Sequence, residues 1–392
     1  MNSLPSHNTP CPACEHPGDD LGYWLYGLPV NSVRLHHDRD AARGVPTGDL
    51  ALFGCPACGF VWNPRFDPAL VAYDAGYEST QSFSGTYRRF LAEQAEALVA
   101  EYGLAGGAVL EIGCGQGEFL AALCEAGVAR GIGYDPAAMR ERCPAVEQGE
   151  LIIHDQAFTG DTVLPPVDLV CCRNTLEHIP YVAGFVRAIR RALGDSTDVP
   201  VFFQLPSWER VAATGAFWDV YYEHCSYFTR ASLTGLFARA GFVVERCGTI
   251  FNGQYLDLRA RPGQTGAGTA GGTALDINVL DIAAILDQGQ FWQQHFDTCR
   301  RNGTRTVLWG GGSKAVALLT SLDAGGTVLA AVDINPHKHG TFLPVTGHPV
   351  IAPAALTDLA FDEVLLMNGA YREEVAAQLA ALGLDPVMRV FD

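Results

Sequence analysis

The sequence predicts an α/β protein made of two doubly wound lobes that follow a small cysteine-rich module. Two segments show the succession of buried strand, glycine turn and helix that is typical of such lobes: AVLEIGCGQGEFLAAL, from Ala108, and RTVLWGGGSKAVALLTSL, from Arg305. Two copies of a Cys-x-x-Cys motif precede both segments. We therefore expect three domains and, between the last two, a flexible Gly/Thr-rich linker at 261–273. The expected domains are residues 1–72, 73–262 and 274–392.

The composition is that of a globular protein. Of the 392 residues, 48% are hydrophobic and 18% charged, so the chain can bury sizeable cores. The net charge of −17 argues against nucleic-acid or anionic-membrane partners, because clustered Lys and Arg are needed to bind either. No signal-peptide pattern and no apolar run of about 18 residues is visible. We therefore expect a cytoplasmic protein with reduced thiols and a small-molecule substrate.

Four of the twelve cysteines are spaced like metal ligands. Cys11 and Cys14 form one CPAC phrase, and Cys55 and Cys58 form a second. Two such tight turns can close a tetrahedral site of four thiolates around Zn²⁺. Since four thiolates leave no open position for water, the sequence predicts a structural zinc. A redox-active Cys-x-x-Cys is the alternative, which the duplication disfavours.

The first glycine turn predicts a cofactor site. Gly113, Gly115 and Gly117 follow a buried strand at a tighter spacing than the dinucleotide fingerprint. The carboxylate of Glu111, at the strand end, suits an ammonium or a ribose better than a pyrophosphate. Asp135 ends the next strand, where a ribose-binding carboxylate occurs in doubly wound folds. A nicotinamide dinucleotide fold is the alternative.

The strands that follow extend this pattern. LIIHDQAF, VDLVCCRNTLEHIP and VPVFFQLPSW come in an order that resembles class I S-adenosylmethionine-dependent methyltransferases. The resemblance implies a Rossmann-like core with S-adenosylmethionine as cofactor, its methionine end on the glycine turn and its ribose on Asp135. It also implies that Asp155 and Gln156 contact the adenine and that Asn174 lies at the mouth of the fourth strand.

The segment FWDVYYEHCSYFT, residues 217–229, concentrates aromatic side chains around one carboxylate and one imidazole. His224 can accept a proton near neutral pH, because the ordinary pKa of histidine is about 6.5. Glu223 can orient the ring, and the neighbouring phenols can donate hydrogen bonds to an oxyanion. The alternative is an aromatic loop that packs over the cofactor, with His224 as a hydrogen-bonded filler.

Three features together resemble one family: the four cysteines, the methyltransferase core and the phrase Y-x-E-H-x-x-Y-F. They resemble the zinc-containing sugar C-methyltransferases that act on nucleotide-linked 4-keto-deoxysugars, and the tail phrase VDINPHKHGTFLPVTGHPV extends the likeness through almost the whole chain. In that family an imidazole removes the proton next to a ketone, and the enolate attacks the methyl group of S-adenosylmethionine. The resemblance implies His224 as the base, with Tyr222 and Glu223 beside it, a second histidine, His178, and a tyrosine, Tyr77.

The second glycine turn, Gly310–Gly312, precedes a strand that ends in Asp333, a position that would suit NAD. The turn lacks a clean G-x-G-x-x-G, which disfavours that interpretation. The family resemblance implies instead a Rossmann-like lobe that closes over the active site and holds the nucleotide end of the substrate. The basic residues available to a pyrophosphate are Lys314, His337, Lys338 and His339, for which a solvated loop is the alternative.

The sequence thus predicts a methyltransferase (EC 2.1.1.-) that C-methylates a keto-deoxysugar nucleotide. O-methylation, or methylation of another activated metabolite in natural-product or polysaccharide biosynthesis, is the alternative. The acidic charge disfavours an RNA methyltransferase that grips RNA through its cysteine module. A non-catalytic scaffold would not bind S-adenosylmethionine.

Overall fold

The structure, a computed structural model, describes residues 9–263 and 275–391. Within these residues the chain forms three sheets, whose strands and helices we number along the sequence. The predicted α/β architecture is confirmed. Most of the predicted linker, residues 264–273, lies outside the described residues.

The first sheet is antiparallel and carries both cysteine phrases. Its five strands lie in the order β1-β2-β3-β4-β10. The last of them comes from the aromatic segment 217–229 and pairs with β4, Ser226 opposite Trp62 and Tyr227 opposite Val61. The aromatic segment is therefore attached to the cysteine-rich sheet. The elements are β1 (Thr9–Pro10), β2 (Pro17–Pro29), α1 (Arg39–Arg43), β3 (Thr47–Gly54), β4 (Val61–Trp62) and β10 (Ser226–Tyr227).

The second sheet has seven strands in the order β11-β12-β9-β8-β5-β6-β7. Its five strands from β5 to β9 run parallel. The strand order reverses between β5 and β8: β6 and β7 follow on one side of β5, and β8 and β9 follow on the other. Ligands bind outside the carboxyl ends of the strands at such a switch point. The strands are β5 (Ala108–Ile112), β6 (Arg130–Tyr134), β7 (Glu150–His154), β8 (Leu169–Arg173), β9 (Val201–Pro206), β11 (Phe242–Ile250) and β12 (Tyr255–Pro262). The helices are α2 (Gly85–Tyr102), α3 (Glu118–Glu125), α4 (Val182–Ala192), α5 (Trp208–Thr214) and α6 (Arg230–Arg239).

The third sheet is parallel throughout, in the order β15-β14-β13-β16-β17. Its strand β13 lies at the centre and is buried along its length, as expected of a sheet covered on both faces. The elements are α7 (Ala283–Asn302), β13 (Thr306–Trp309), α8 (Ser313–Ser321), β14 (Val328–Val332), β15 (Val350–Ile351), β16 (Glu363–Leu366), α9 (Arg372–Ala381) and β17 (Val387–Val390). In the described part of the chain, each helix is too short or too polar to cross a bilayer.

Polar contacts join the second sheet's lobe to the third. The carboxylate of Glu374 accepts hydrogen bonds from the Ser84 hydroxyl at 2.7 Å and from the Thr86 amide at 2.9 Å, at the start of α2. The side-chain amides of Gln254 and Asn368 exchange two hydrogen bonds of 2.9 Å. These contacts bring the glycine turns of the two lobes to one cavity.

Candidate active site

A cavity of about 550 Å³ opens at the switch point of the second sheet. The glycine turn after β5, residues 113–116, lines it together with the segment 77–84. The start of α8, Gly312–Lys314, lines it from the C-terminal lobe. The two glycine-rich turns that the sequence singles out therefore meet at one site.

The first turn has a backbone that only glycine adopts easily. Gly113, Gly115 and Gly117 have φ angles of 72°, 55° and 86°, in the left-handed region. Gly113 and Gly115 line the cavity, whereas Gly117 caps the start of α3 outside it. The carboxylate of Asp135 accepts hydrogen bonds from the Gly115 amide at 2.8 Å and from the Ala137 amide at 2.7 Å. The turn and its acidic partner form one hydrogen-bonded cradle.

The environment of Glu111 indicates whether this cradle fits S-adenosylmethionine. Its side chain is buried against the cavity, and its Oε2 has no hydrogen-bond partner among the described residues. Arg173 approaches the other carboxylate oxygen only to 3.9 Å, and burial raises the pKa of Glu111 to about 8. An ammonium group beside this carboxylate would stabilise its ionised form. The residues present fit the methionine end of S-adenosylmethionine.

Alanine at Gly113 should damage this cradle. A Cβ there would lie 1.9 Å from the hydroxyl oxygen of Thr175, and the φ of 72° adds backbone strain. We expect Gly113→Ala to lower the free energy of unfolding by about 1–3 kcal/mol and to weaken S-adenosylmethionine binding about tenfold or more. Urea denaturation and calorimetric titration measure the two effects.

Gly184 provides the matched control. It lies inside α4, and apart from its own helix backbone no described heavy atom comes within 4 Å of the position that a Cβ would take. Gly184→Ala should raise stability by about 0.5–1 kcal/mol, because alanine is the better helix former. Wild-type affinity and stability in Gly113→Ala would contradict the role of this turn.

The two residues expected to contact the adenine lie just before residues that line the cavity. Asp155 and Gln156 are exposed and do not line the cavity themselves, so their contact with the adenine stays a prediction. Ala157 and Phe158, the next residues, line the cavity instead. Asn174 lines the cavity as expected, in a left-handed backbone conformation with φ of 49°. The chain bends after β7, so the distance from the strand end does not decide which side chain turns inward.

His224 lies in the wall of the same cavity and is 6% exposed. Its Nε2 lies 2.8 Å from the hydroxyl oxygen of Tyr221, and its Nδ1 is buried with no hydrogen-bond partner in the described part of the chain. Burial, and then the neighbouring charges of His178 and Lys314, lower the pKa of His224 well below the ordinary value. The imidazole is therefore neutral at pH 7, with one nitrogen held and one free.

Tyr222 and Glu223 do not flank the imidazole as the sequence suggests. The Tyr222 hydroxyl accepts a hydrogen bond from the Asp67 amide at 2.9 Å, and its ring lies against Phe66 outside the cavity. Tyr221, the preceding residue, takes the place expected of Tyr222. Residues 220–225 are neither helix nor strand, so sequence adjacency does not indicate which tyrosine faces inward.

Glu223 does not line the cavity, and its contacts join three parts of the chain. Its fully buried carboxylate accepts hydrogen bonds from the amide and hydroxyl of Ser32. The Ser32 hydroxyl oxygen lies 2.7 Å from that of Ser313, the first residue of α8. Burial raises the pKa of Glu223 to about 7, against the effect of the Ser32 hydrogen bonds. Nothing in the sequence around Ser32 or Ser313 signals this contact.

His178 and Tyr77 both line the cavity near His224. The rings of His178 and His224 meet edge to face with centroids 4.8 Å apart. The Nδ1 of His178 lies 3.0 Å from the backbone carbonyl oxygen of Glu223 and 2.9 Å from the hydroxyl of Tyr73. Burial lowers the pKa of His178 to about 4, and burial raises the pKa of Tyr77 well above its ordinary value. Both groups are neutral polar neighbours of the histidine.

Only two of the four basic residues expected near a pyrophosphate reach the cavity. Lys314 lines it and forms an ion pair of 2.9 Å with Asp219. Lys338 lines it and forms an ion pair of 3.3 Å with Asp333. The other two do not line it: the exposed His337 packs against Phe83, and His339 hydrogen bonds to a backbone carbonyl.

The four spaced cysteines converge on one point. Their sulfur atoms all lie within 4.8 Å of one another, with 3.8 Å between Cys11 and Cys58 and 3.5 Å between Cys14 and Cys55. A tetrahedron of sulfurs about 2.3 Å from Zn²⁺ has edges of about 3.8 Å. This cluster can hold a metal ion.

Comparison with protein families agrees with the fold. Residues 86–246 match a family model described as a methyltransferase domain, and residues 288–385 match one described as a C-methyltransferase C-terminal domain. The first match and the strand order of the second sheet define a class I S-adenosylmethionine-dependent methyltransferase fold. The second match is more particular: this chain is a methyltransferase that carries the C-terminal domain of C-methyltransferases.

Solved structures resemble part of the chain at low identity. Magnesium protoporphyrin IX methyltransferase from Synechocystis is 17% identical, with a TM-score of 0.33, covering 45% of this chain and 80% of its own. A methyltransferase from Mesorhizobium loti is 19% identical (TM-score 0.35; 44% of this chain and 99% of its own). A 1,6-didemethyltoxoflavin-N1-methyltransferase from Burkholderia thailandensis is 17% identical (TM-score 0.36; 52% of this chain and 96% of its own). No curated protein matches the sequence.

Proposed function

We propose that this protein C-methylates a keto-deoxysugar nucleotide at the carbon next to the ketone, with His224 as the base. One observation carries the proposal: a neutral imidazole, whose Nδ1 has no partner among the described residues, lies in the cavity that the glycine turn lines. The C-methyltransferase C-terminal domain favours carbon over oxygen as the methylated atom.

The chain's own residues would hold the methyl donor. S-adenosylmethionine, when bound, supplies an activated methyl group. Glu111 offers a carboxylate to its ammonium, Gly113 and Gly115 let the backbone approach closely, and Asp135 lies where a ribose is held in doubly wound folds. Asn174 lines the same end of the cavity. Alignment of donor and acceptor contributes up to about 7–11 kcal/mol in favourable systems.

The imidazole of His224 would remove the proton next to the ketone. If its Nε2–H donates to the Tyr221 oxygen, the lone pair is on Nδ1, the nitrogen that contacts no other described polar group. Its lowered pKa keeps this nitrogen unprotonated at neutral pH. A positioned base of this kind contributes about 10²- to 10⁴-fold.

The enolate oxygen needs a partner as charge develops on it. Tyr77 and His178 offer neutral polar groups in the cavity wall, and Lys314 adds a positive charge close enough to affect the pKa of His224. The same lysine and Lys338 belong to the C-terminal lobe, where the nucleotide end of the substrate would lie. Each lysine would then contact both its carboxylate partner and the substrate.

We also propose that the four-cysteine cluster binds a structural Zn²⁺. The four sulfur atoms satisfy a tetrahedral ion without an open position for water. The cluster joins the cysteine phrase before β2 to the one after β3. The metal would therefore stabilise the sheet to which the aromatic segment is attached.

Isotope exchange tests the proposed chemistry. In deuterated water, without S-adenosylmethionine, the enzyme should exchange the hydrogen next to the ketone of a nucleoside-diphosphate-linked 4-keto-deoxysugar. The mass of the recovered substrate should rise by one deuterium. In the full reaction, NMR should show a new carbon–carbon bond to the methyl group. An O-methyl product that retains every carbon-bound hydrogen would refute C-methylation and support the O-methyltransferase alternative.

A further inference from the structure

The C-terminal lobe contains a second cluster of metal-ligating side chains. His295 and Cys299 lie one turn apart on α7, so their side chains share a face of the helix. Glu363, at the start of β16, meets them from the neighbouring sheet. The His295 Nε2 lies 2.7 Å from Glu363 Oε1 and 3.4 Å from the Cys299 sulfur. The Cys299 sulfur lies 3.6 Å from the same carboxylate oxygen.

The two distances from the Cys299 sulfur match those between ligand atoms of a tetrahedral zinc site. With Zn–S near 2.3 Å and Zn–N or Zn–O near 2.0–2.1 Å, tetrahedral angles place sulfur about 3.5 Å from its nitrogen and oxygen neighbours. The observed 3.4 Å and 3.6 Å agree with that value. The nitrogen–oxygen distance of 2.7 Å is shorter and corresponds to a direct hydrogen bond, which an ion would replace.

The surroundings support the three ligands. The second oxygen of Glu363 accepts a hydrogen bond from Arg389 at 2.9 Å, and the Thr306 hydroxyl donates to the first at 3.1 Å. Groups that orient a ligating carboxylate in this way are typical of the outer shell of metal sites. The side chain of His295 remains 15% exposed. A water molecule as fourth ligand would complete a tetrahedral site.

We propose that His295, Cys299 and Glu363 bind a divalent transition metal, Zn²⁺ by preference, that fastens α7 to β16. The donor set combines imidazole, thiolate and carboxylate, all of which Zn²⁺ accepts. Among the described residues, none of the three lines the cavity of the candidate active site, so this ion would be separate from the methyl-transfer site. The proposal does not depend on the methyltransferase chemistry.

Metal content of the purified full-length protein tests the proposal. Zinc per chain, measured by inductively coupled plasma mass spectrometry, should fall by one equivalent in Cys299→Ser and in His295→Gln relative to wild type. Zinc added to wild type stripped of loosely held metal should also raise its Tm, and the rise should be absent in both variants. Cys124→Ala, a buried cysteine of α3 remote from these ligands, should retain the wild-type content.

The four-cysteine cluster is unchanged in both variants. A difference in zinc content from wild type therefore reports on this site alone. Circular dichroism shows whether each variant is folded, and the two substitutions at different ligands check each other. If folded Cys299→Ser and His295→Gln both keep the wild-type zinc content, the cluster is a hydrogen-bonded pair with a neighbouring thiol and the proposal is wrong.

Discussion

His224→Ala should lower the turnover number by roughly 10²-fold or more, because the substitution removes the positioned base. Affinity for S-adenosylmethionine should stay near wild type, since the glycine turn, Glu111 and Asp135 are untouched. Steady-state kinetics with a keto-deoxysugar nucleotide measure the first effect, and calorimetric titration measures the second. Exchange of the hydrogen next to the ketone should disappear with turnover.

His337→Ala is the control for this experiment. His337 belongs to the same chemical class but is exposed and lies outside the cavity. Its variant should keep the wild-type rate. If His224→Ala also turns over near the wild-type rate, His224 is a packing residue and the base assignment fails. If it loses affinity for S-adenosylmethionine to the same degree as turnover, His224 acts through the cofactor site and not as a base.

Cys55→Ser should remove one equivalent of zinc per chain and lower the Tm by many degrees. Loss of one thiolate leaves three, and apparent binding energies for structural zinc of about 10–16 kcal/mol in small peptides show how much stability such an ion supplies. The effect should extend beyond the first sheet, because β10 pairs with β4 and carries the aromatic segment. Differential scanning calorimetry and metal analysis give the two readouts.

Cys247→Ser is the matched control for this substitution. Cys247 is a free thiol on β11, partly buried and away from the cluster. It should retain metal and nearly all stability. A Cys55→Ser protein that is folded, has one equivalent of zinc less than wild type and is as stable as wild type would show that the four thiols are not a structural zinc site.

Short-range patterns were sufficient for much of the site. The glycine turn and Asp135 could be predicted because a strand that enters a tight turn allows few backbone paths, and a parallel neighbouring strand places its last residue at the same edge. The two Cys-x-x-Cys motifs could be assigned to one site because each is a local turn that presents two thiolates. Local patterns say less where the chain is irregular: after β7, Ala157 and Phe158 line the cavity and the two residues before them do not.

The tyrosine beside His224 also could not be predicted from local sequence patterns. Tyr221 and Tyr222 are adjacent and chemically identical, and the segment that carries them is neither helix nor strand. Which ring faces the cavity depends on how β10 pairs with β4, a contact between residues far apart in the chain. The link from Ser32 through Glu223 to Ser313 joins still more distant residues. Side-chain chemistry alone does not predict such contacts.

The sequence by itself determined the α/β class, because that class follows from residue type and local spacing. It also singled out the glycine turn and His224 as candidates, through local spacing and resemblance to a family. The tertiary structure decided which side chains meet. It placed Tyr221 on the imidazole, turned Glu223 towards Ser32, and paired each cavity lysine with a carboxylate. The physical reason is that burial and long-range packing select one orientation among neighbours that are equivalent in sequence.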